Sequence, residues 1–265
     1  MNIVSKVRIT SPVKTDDVIF LMMKQAYSEL QSLELDLSVE IIPRRKRTIK
    51  ELFKNDSSPV IVISHHMPVL YFSAEEKVFY HENTMRFKLK RFNKYGDLPP
   101  LIEILPVASS DAVTIVDATM GMGNDLMLMA HILIAAEFHA FETHPLIYFV
   151  IKEGIVKYHA ADITERITFH YGSAVRNSLV STADIVYADP MFETTIGQNS
   201  GMQVINRQIT TEHNEQLVSE LVKSSQCIIL KAHFRSQLFV QFGFDVIIRK
   251  SSKSHFGILK KQTRK

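Results

Sequence analysis

The spacing of apolar residues changes character along the chain. In residues 16–33, Ile19, Phe20, Met23, Ala26, Tyr27 and Leu30 recur every three or four positions, which predicts an amphipathic helix started by Thr15-Asp16-Asp17. Residues 3–9 alternate as a strand, and the short apolar runs at 60–63, 69–72 and 77–81 read as three more. Asn83-Thr84 then opens a helix through Phe92. It interleaves Arg86, Lys88, Lys90 and Arg91 with Met85, Phe87, Leu89 and Phe92, so one side can anchor while another stays positive.

From residue 101 the pattern becomes a regular alternation. After a helix to about 107, strands are expected near 113–117, 138–142, 167–171, 184–188, 226–231, 244–249 and 255–259. Helices are expected near 124–136, 145–158, 174–179 and 212–223. This order predicts a parallel sheet covered by helices, with an antiparallel hairpin at its edge because only 250–254 separate the last two strands. Asp97-Leu98-Pro99-Pro100 marks a boundary, since consecutive prolines cannot continue a helix. The expectation is an α/β protein: a smaller N-terminal α+β region over 1–96, and a doubly wound, mostly parallel seven-stranded Rossmann-like sheet over 97–265.

Composition narrows the class. The chain has 265 residues, 46% of them hydrophobic, enough for a sizeable core. Its apolar stretches fall short of the ~20 residues needed to span a bilayer, and no leader-like pattern opens the chain. The single cysteine, Cys227, lies in an apolar run and can form neither an internal disulfide nor a thiolate cluster. A cytoplasmic protein is expected, with no membrane segment and no metal; His65-His66 lack partner ligands at metal-binding spacing and read as turn residues. The net charge of +3 permits nucleic-acid contact without requiring it. The densest positive run, Pro43-Arg44-Arg45-Lys46-Arg47, reads either as a solvated loop and helix start or as a nucleic-acid contact.

In an open parallel sheet, ligands bind beyond the carboxyl ends of the strands. The strand at 113–117 ends at Asp117 and a turn with Gly121 and Gly123, leading into Asn124-Asp125. Such a turn can serve packing alone or let the backbone approach a ligand. It lacks the third glycine of the dinucleotide fingerprint. Acids at 117 and 125 would repel a pyrophosphate but suit the ammonium of an amino acid, which favours S-adenosylmethionine over a nicotinamide cofactor. Glu142, ending the second strand, can accept both ribose hydroxyls. Asp189-Pro190-Met191-Phe192 ends the fourth. Asp189 and a carbonyl near Pro190 can accept the N–H groups of an exocyclic base amine, freeing its lone pair, while Phe192 offers a stacking face. Lys231 can contact phosphate or base, or pair with Asp189 or another carboxylate.

The ordered set Val-Asp-Ala-Thr-x-Gly-x-Gly-x-Asp (116–125), Glu142, Tyr-x-Asp-Pro-Met-Phe (187–192) and Ile-Leu-Lys (229–231) resembles the bacterial RsmJ family. The likeness spans roughly 79–259 and implies the methyltransferase form of the doubly wound fold. It also implies S-adenosylmethionine-dependent methylation of guanine N2 in small-subunit ribosomal RNA. By the same resemblance Asn124, Asp125, Glu142, Thr143, Gly172, Ser173 and Asp189 line the cofactor site, joining Asp117, Gly121 and Gly123. Asp189, Pro190 and Phe192 serve transfer; Arg86, Lys88, Arg91 and Lys231 face the RNA. The chain departs from the family pattern at Asn124, at Thr143, and over 193–211, a substrate-mouth segment without the family's lysines. The alternatives are a methyltransferase of a small molecule or protein on the same fold, or a non-catalytic RNA-binding protein.

Overall fold

The computed structural model describes residues 5–34, 36–190, 211–250 and 252–261. Met191, Phe192 and the expected substrate mouth at 193–210 lie outside them. The described chain groups into two compact units, one holding the residues up to His81 together with His144–Ala160, the other beginning at Glu82.

The first unit opens with β1 (Lys6–Thr10), α1 (Asp17–Leu33), β2 (Ser38–Ile41), α2 (Ile49–Leu52), β3 (Val60–Val62), β4 (Val69–Tyr71) and β5 (Lys77–Val78). Its sheet runs β2-β1-β3-β4-β5, parallel from β2 to β3 and antiparallel beyond. Asp16 caps α1 by accepting from the Ile19 N–H at 2.9 Å, and the same carboxylate meets His65 at 2.7 Å. The histidine at 65 therefore braces a helix start. The sequence reading passed over β2 and α2. The latter is a single turn created by a Thr48–Glu51 capping box.

The second unit carries α3 (Asn83–Tyr95), α4 (Pro100–Ile104), β6 (Thr114–Asp117), α5 (Asn124–Ile132) and β7 (Glu137–Glu142). The chain then supplies α6 (Pro145–Tyr158) to the first unit, where it meets α1 and β4, and returns as α7 (Ala161–Thr164), β8 (Ile167–Tyr171), α8 (Ser178–Thr182) and β9 (Ile185–Ala188). After the undescribed stretch come α9 (Thr211–Ser224), β10 (Cys227–His233), α10 (Leu238–Phe242), β11 (Asp245–Ile247) and β12 (Ser254–Lys260). The seven strands lie in the order β11-β12-β10-β9-β6-β7-β8. All neighbours are parallel except around β12, which pairs antiparallel with both β10 and β11. This is the expected doubly wound sheet with its closing hairpin. No helix among the described residues is long and apolar enough to cross a membrane, and none of their His, Cys, Asp and Glu side chains group as metal ligands.

Two helices differ from expectation for local reasons. α5 stops at Ile132, short of 136, because the Arg166 guanidinium donates to the carbonyls of Ala130, Leu133 and Ala136 at 2.5–2.9 Å and so satisfies the helix end. α8 begins at 178 because Asn177 accepts from the Leu179 N–H and fixes the cap there. Leu126–Ala130 on α5 are all buried, the signature of a helix covered on every side; α3, α4 and β7 pack against it.

In the first unit, Gly154 of α6 faces Tyr80, whose ring is fully buried and whose hydroxyl lies 2.6 Å from His159 Nε2. A Cβ at 154 would stand 2.4 Å from Tyr80 Cβ. Gly154→Ala should therefore lose about 1–3 kcal/mol by overpacking, reversing the ~1 kcal/mol an alanine normally adds within a helix. A lowered denaturant midpoint checks the sign.

Candidate active site

The switch in strand order sets the location. From β6 the chain winds outward through β7 and β8, then returns to β9 on the other side of β6, so the loops after β6 and β9 diverge over adjacent strand ends. Register aligns Asp117 with Tyr187, and Ala188 with Leu230. One step further brings Asp189 level with Lys231. The turn after β6 is tied to both neighbours: Ala118 N–H donates to the Tyr187 carbonyl and Met120 N–H to that of Phe141, each at 2.8 Å.

Gly121 and Gly123 adopt φ of 51° and 70°, the left-handed region that favours glycine. Gly121 N–H donates to Glu142 Oε2 at 3.1 Å, so the acid ending β7 reaches the glycine turn. Gly123 caps α5, which puts Asn124 and Asp125 in its first turn. Asn124 Oδ1 is buried without a hydrogen-bond partner among the described residues. At the end of β8, Gly172 N–H donates to the Glu142 carbonyl at 2.9 Å, and Ser173 Oγ accepts from Val175 N–H at 3.1 Å. Thr143 is exposed.

Asp125 gathers three side-chain donors. Lys88 Nζ of α3 lies 3.0 Å from Oδ1, while Lys231 Nζ of β10 and the Tyr187 hydroxyl of β9 both donate to Oδ2, at 2.7 and 2.8 Å. Lys231 also reaches Asp189 Oδ2 at 2.5 Å. Asp189 N–H donates to Thr119 Oγ1 at 2.7 Å, and Thr119 N–H to Asp117 Oδ1 at 3.0 Å, closing a chain from one strand end to the next.

These contacts divide the acids electrostatically. Burial opposes ionisation of Asp125, but Lys231 and Lys88 prevail and hold its carboxyl well below the usual range. Lys231, despite burial, is pushed well above its ordinary value by Asp125 and Asp189. Burial raises Asp189 and Lys231 opposes it. Asp117, 1% exposed, has no cation partner among the described residues; burial and the neighbouring carboxylates push it up to about 8 against the Thr119 hydrogen bond. Four carboxyl groups, Asp117, Asp125, Glu142 and Asp189, thus meet two lysines, Lys88 and Lys231, in the crevice. That balance, the left-handed glycines and the orphan Asn124 acceptor suit a cationic ligand with polar hydrogens.

The structure gives Lys88 a partner inside the crevice and adds two residues to the site. Lys88, expected to face RNA, points into the crevice and is engaged by Asp125. Arg86 and Arg91 are exposed on α3, beside Glu82 and Asp97. Phe87, expected to share the anchored side of that helix, is 63% exposed, and Met85 is buried instead. Thr119 and Tyr187 were missed as polar contributors. A tyrosine in a fully buried strand must find a partner for its hydroxyl, and that was the available signal.

Two measurements follow from this electrostatic arrangement. Asp117 holds its proton more tightly folded than unfolded, so its stabilising contribution is complete below about pH 4 and is lost as pH rises through 8. Asp117→Asn should remove that dependence, so the melting-temperature difference between variant and wild type should grow in the variant's favour from pH 5 to pH 8. Lys231→Met leaves two half-buried carboxylates facing each other. It should cost about 1–3 kcal/mol, less than the ~3–5 kcal/mol of a fully buried pair because water still reaches Asp189, seen in denaturant unfolding at neutral pH.

The chain matches the family model of S-adenosylmethionine-dependent methyltransferases over residues 53–232. Among its relatives, the protein YpiP of Bacillus subtilis is 26% identical over 253 residues, covering 86% of this chain and 92% of YpiP. Ribosomal RNA small subunit methyltransferase J of Magnetococcus marinus is 31% identical over 99 residues, covering 35% of this chain and 38% of that protein. The crystal structure of the methyltransferase NGO1261 of Neisseria gonorrhoeae superposes with a TM-score of 0.59 at 17% identity, over 96% of this chain and 95% of that one, a likeness of fold. The sheet with its hairpin, the carboxylate-rich crevice at the switch point and the match over most of the chain agree: this protein belongs to the S-adenosylmethionine-dependent methyltransferases.

Proposed function

We propose that the protein methylates an exocyclic base amine of RNA, guanine N2 of ribosomal RNA in the first instance, in the cytoplasm. The observation carrying this reading is the pairing of Asp189 with Lys231 beside Pro190 at the end of β9. Lys231 engages Oδ2 of Asp189 and leaves Oδ1 without a hydrogen bond among the described residues. The partial likeness to ribosomal RNA small subunit methyltransferase J supports the choice of RNA.

In this reading the turn from Asp117 to Gly123, with Asn124, Glu142, Thr143, Gly172 and Ser173, holds the cofactor. The Glu142 carboxylate meets its ribose hydroxyls, and the crevice's carboxyl groups favour its cationic part. Bound S-adenosylmethionine supplies an electrophilic methyl carbon. Asp189 Oδ1 and the Pro190 carbonyl accept the amine N–H groups, orienting the nitrogen lone pair and compensating the positive charge that develops on nitrogen. Lys231 acts through Asp189, favouring its ionised form and fixing its rotamer. Arg86 and Arg91, with the exposed ring of Phe87 between them in sequence, offer phosphate contacts and a stacking surface on α3. Phe192 would stack on the target base.

Asp189→Asn is expected to lower methyl transfer by about 10²–10³-fold, the scale for losing one charge-stabilising contact, while S-adenosylmethionine binding stays within a few-fold. Undiminished turnover would refute the role given to Asp189. The substrate is tested by nucleoside mass spectrometry of RNA from cells with and without the gene. A missing methylguanosine fits the proposal; unchanged RNA together with measurable cofactor binding points to a small-molecule or protein substrate.

A further inference from the structure

The basic run in the first unit is built in a manner unusual for a solvated loop. It sits between β2 and α2, on segments fixed by a small core of Ile42, Leu52 and Val60. Thr10 Oγ1 donates to the Ile42 carbonyl at 2.9 Å, which fastens its start. The Thr48–Glu51 capping box fastens its end. Between them, Arg47 N–H donates to the Arg44 carbonyl at 2.9 Å and closes a tight turn whose central residues, Arg45 and Lys46, both have left-handed φ, 46° and 60°. Such a turn normally takes glycine or asparagine, because a Cβ is strained there. Here it carries two long cationic side chains, both exposed.

The two flanking arginines differ. Arg47 is turned back onto the loop, donating to the Pro43 carbonyl at 2.6 Å, so its guanidinium braces the backbone. Arg44 is half-buried, and its Nε and Nη1 have no acceptor among the described residues. Guanidinium donors held away from water without acceptors are costly, so an anion that drew the Arg44 side chain outward would satisfy them. A strained turn presenting two exposed cations beside such a guanidinium is an arrangement that an arriving anion stabilises.

We propose that the loop of Arg44, Arg45 and Lys46 is an RNA phosphodiester-binding site, with Arg44 gripping one phosphate and Arg45 and Lys46 tracking its neighbours. The chemistry selects a polyanionic backbone over a single small anion, because the cations are consecutive and two of the three are exposed. This inference rests on the RNA reading above and assigns the first unit a part in it.

The test uses the full chain and a labelled, ~20-nucleotide single-stranded RNA, with affinity followed by fluorescence anisotropy between about 50 and about 200 mM salt. R45G/K46G removes two charges and relieves the backbone, so its melting temperature should be no lower than wild type. It should bind RNA about tenfold or more weakly at the low-salt end and lose about 1.4 from the slope of log affinity against log salt, at ~0.7 per phosphate contact. Arg44→Gln should lose about 0.7, while R45K should bind as wild type does. S-adenosylmethionine affinity should be unchanged in all three. If wild type binds RNA with a steep salt slope and R45G/K46G matches it, the loop is not a phosphate site and the RNA reading survives. If wild type binds S-adenosylmethionine but shows no salt-dependent RNA binding, both fall together.

Discussion

A buried carboxylate must be compensated, and the demands of Asp125 organise the active-site end of the second unit. Its first-turn position on α5 fixes it to the glycine turn. Its two oxygens then recruit Lys88 from α3, Lys231 from β10 and the Tyr187 hydroxyl from β9. Three elements far apart in sequence are thereby held to one point, and the dielectric cost of the charge is met by partners instead of water. The grouping of α3 with the sheet unit follows from the same contact and from its packing on α5.

The neighbouring acids take their character from what Asp125 leaves them. Lys231 is shared, so Asp189 gains a cation on one oxygen, which opposes the upward pull of burial on its carboxyl. Asp117 has no such partner among the described residues and is pushed towards the neutral form. Two carboxyl groups joined through Thr119 thus differ in that one faces a lysine and the other does not.

The sheet was legible in the sequence because each strand is a short apolar run ended by a polar residue at the carboxyl edge. Asp117, Glu142 and Asp189 could be named for the same reason: position in a βα unit dictates which residues meet at the switch point. The partner of Lys88 was not legible because charge patterning along a helix reports which faces are polar and not which neighbour a lysine will find. α2 and α10 escaped notice since one-turn helices leave almost no periodicity. The left-handed pair at Arg45 and Lys46 was illegible in principle: nothing in that dipeptide requests such a turn, and tertiary anchoring on either side imposes it.

The excursion of the chain after β7 has a consequence during synthesis. The sheet of the first unit is complete by Val78, yet α6, which packs on α1 and β4, ends only at Tyr158. About 80 residues must emerge between the two, roughly 4–16 s at ~5–20 residues per second. Over that interval the nascent first unit lacks the helix that covers α1 and β4, and their apolar side chains stay in water until α6 emerges.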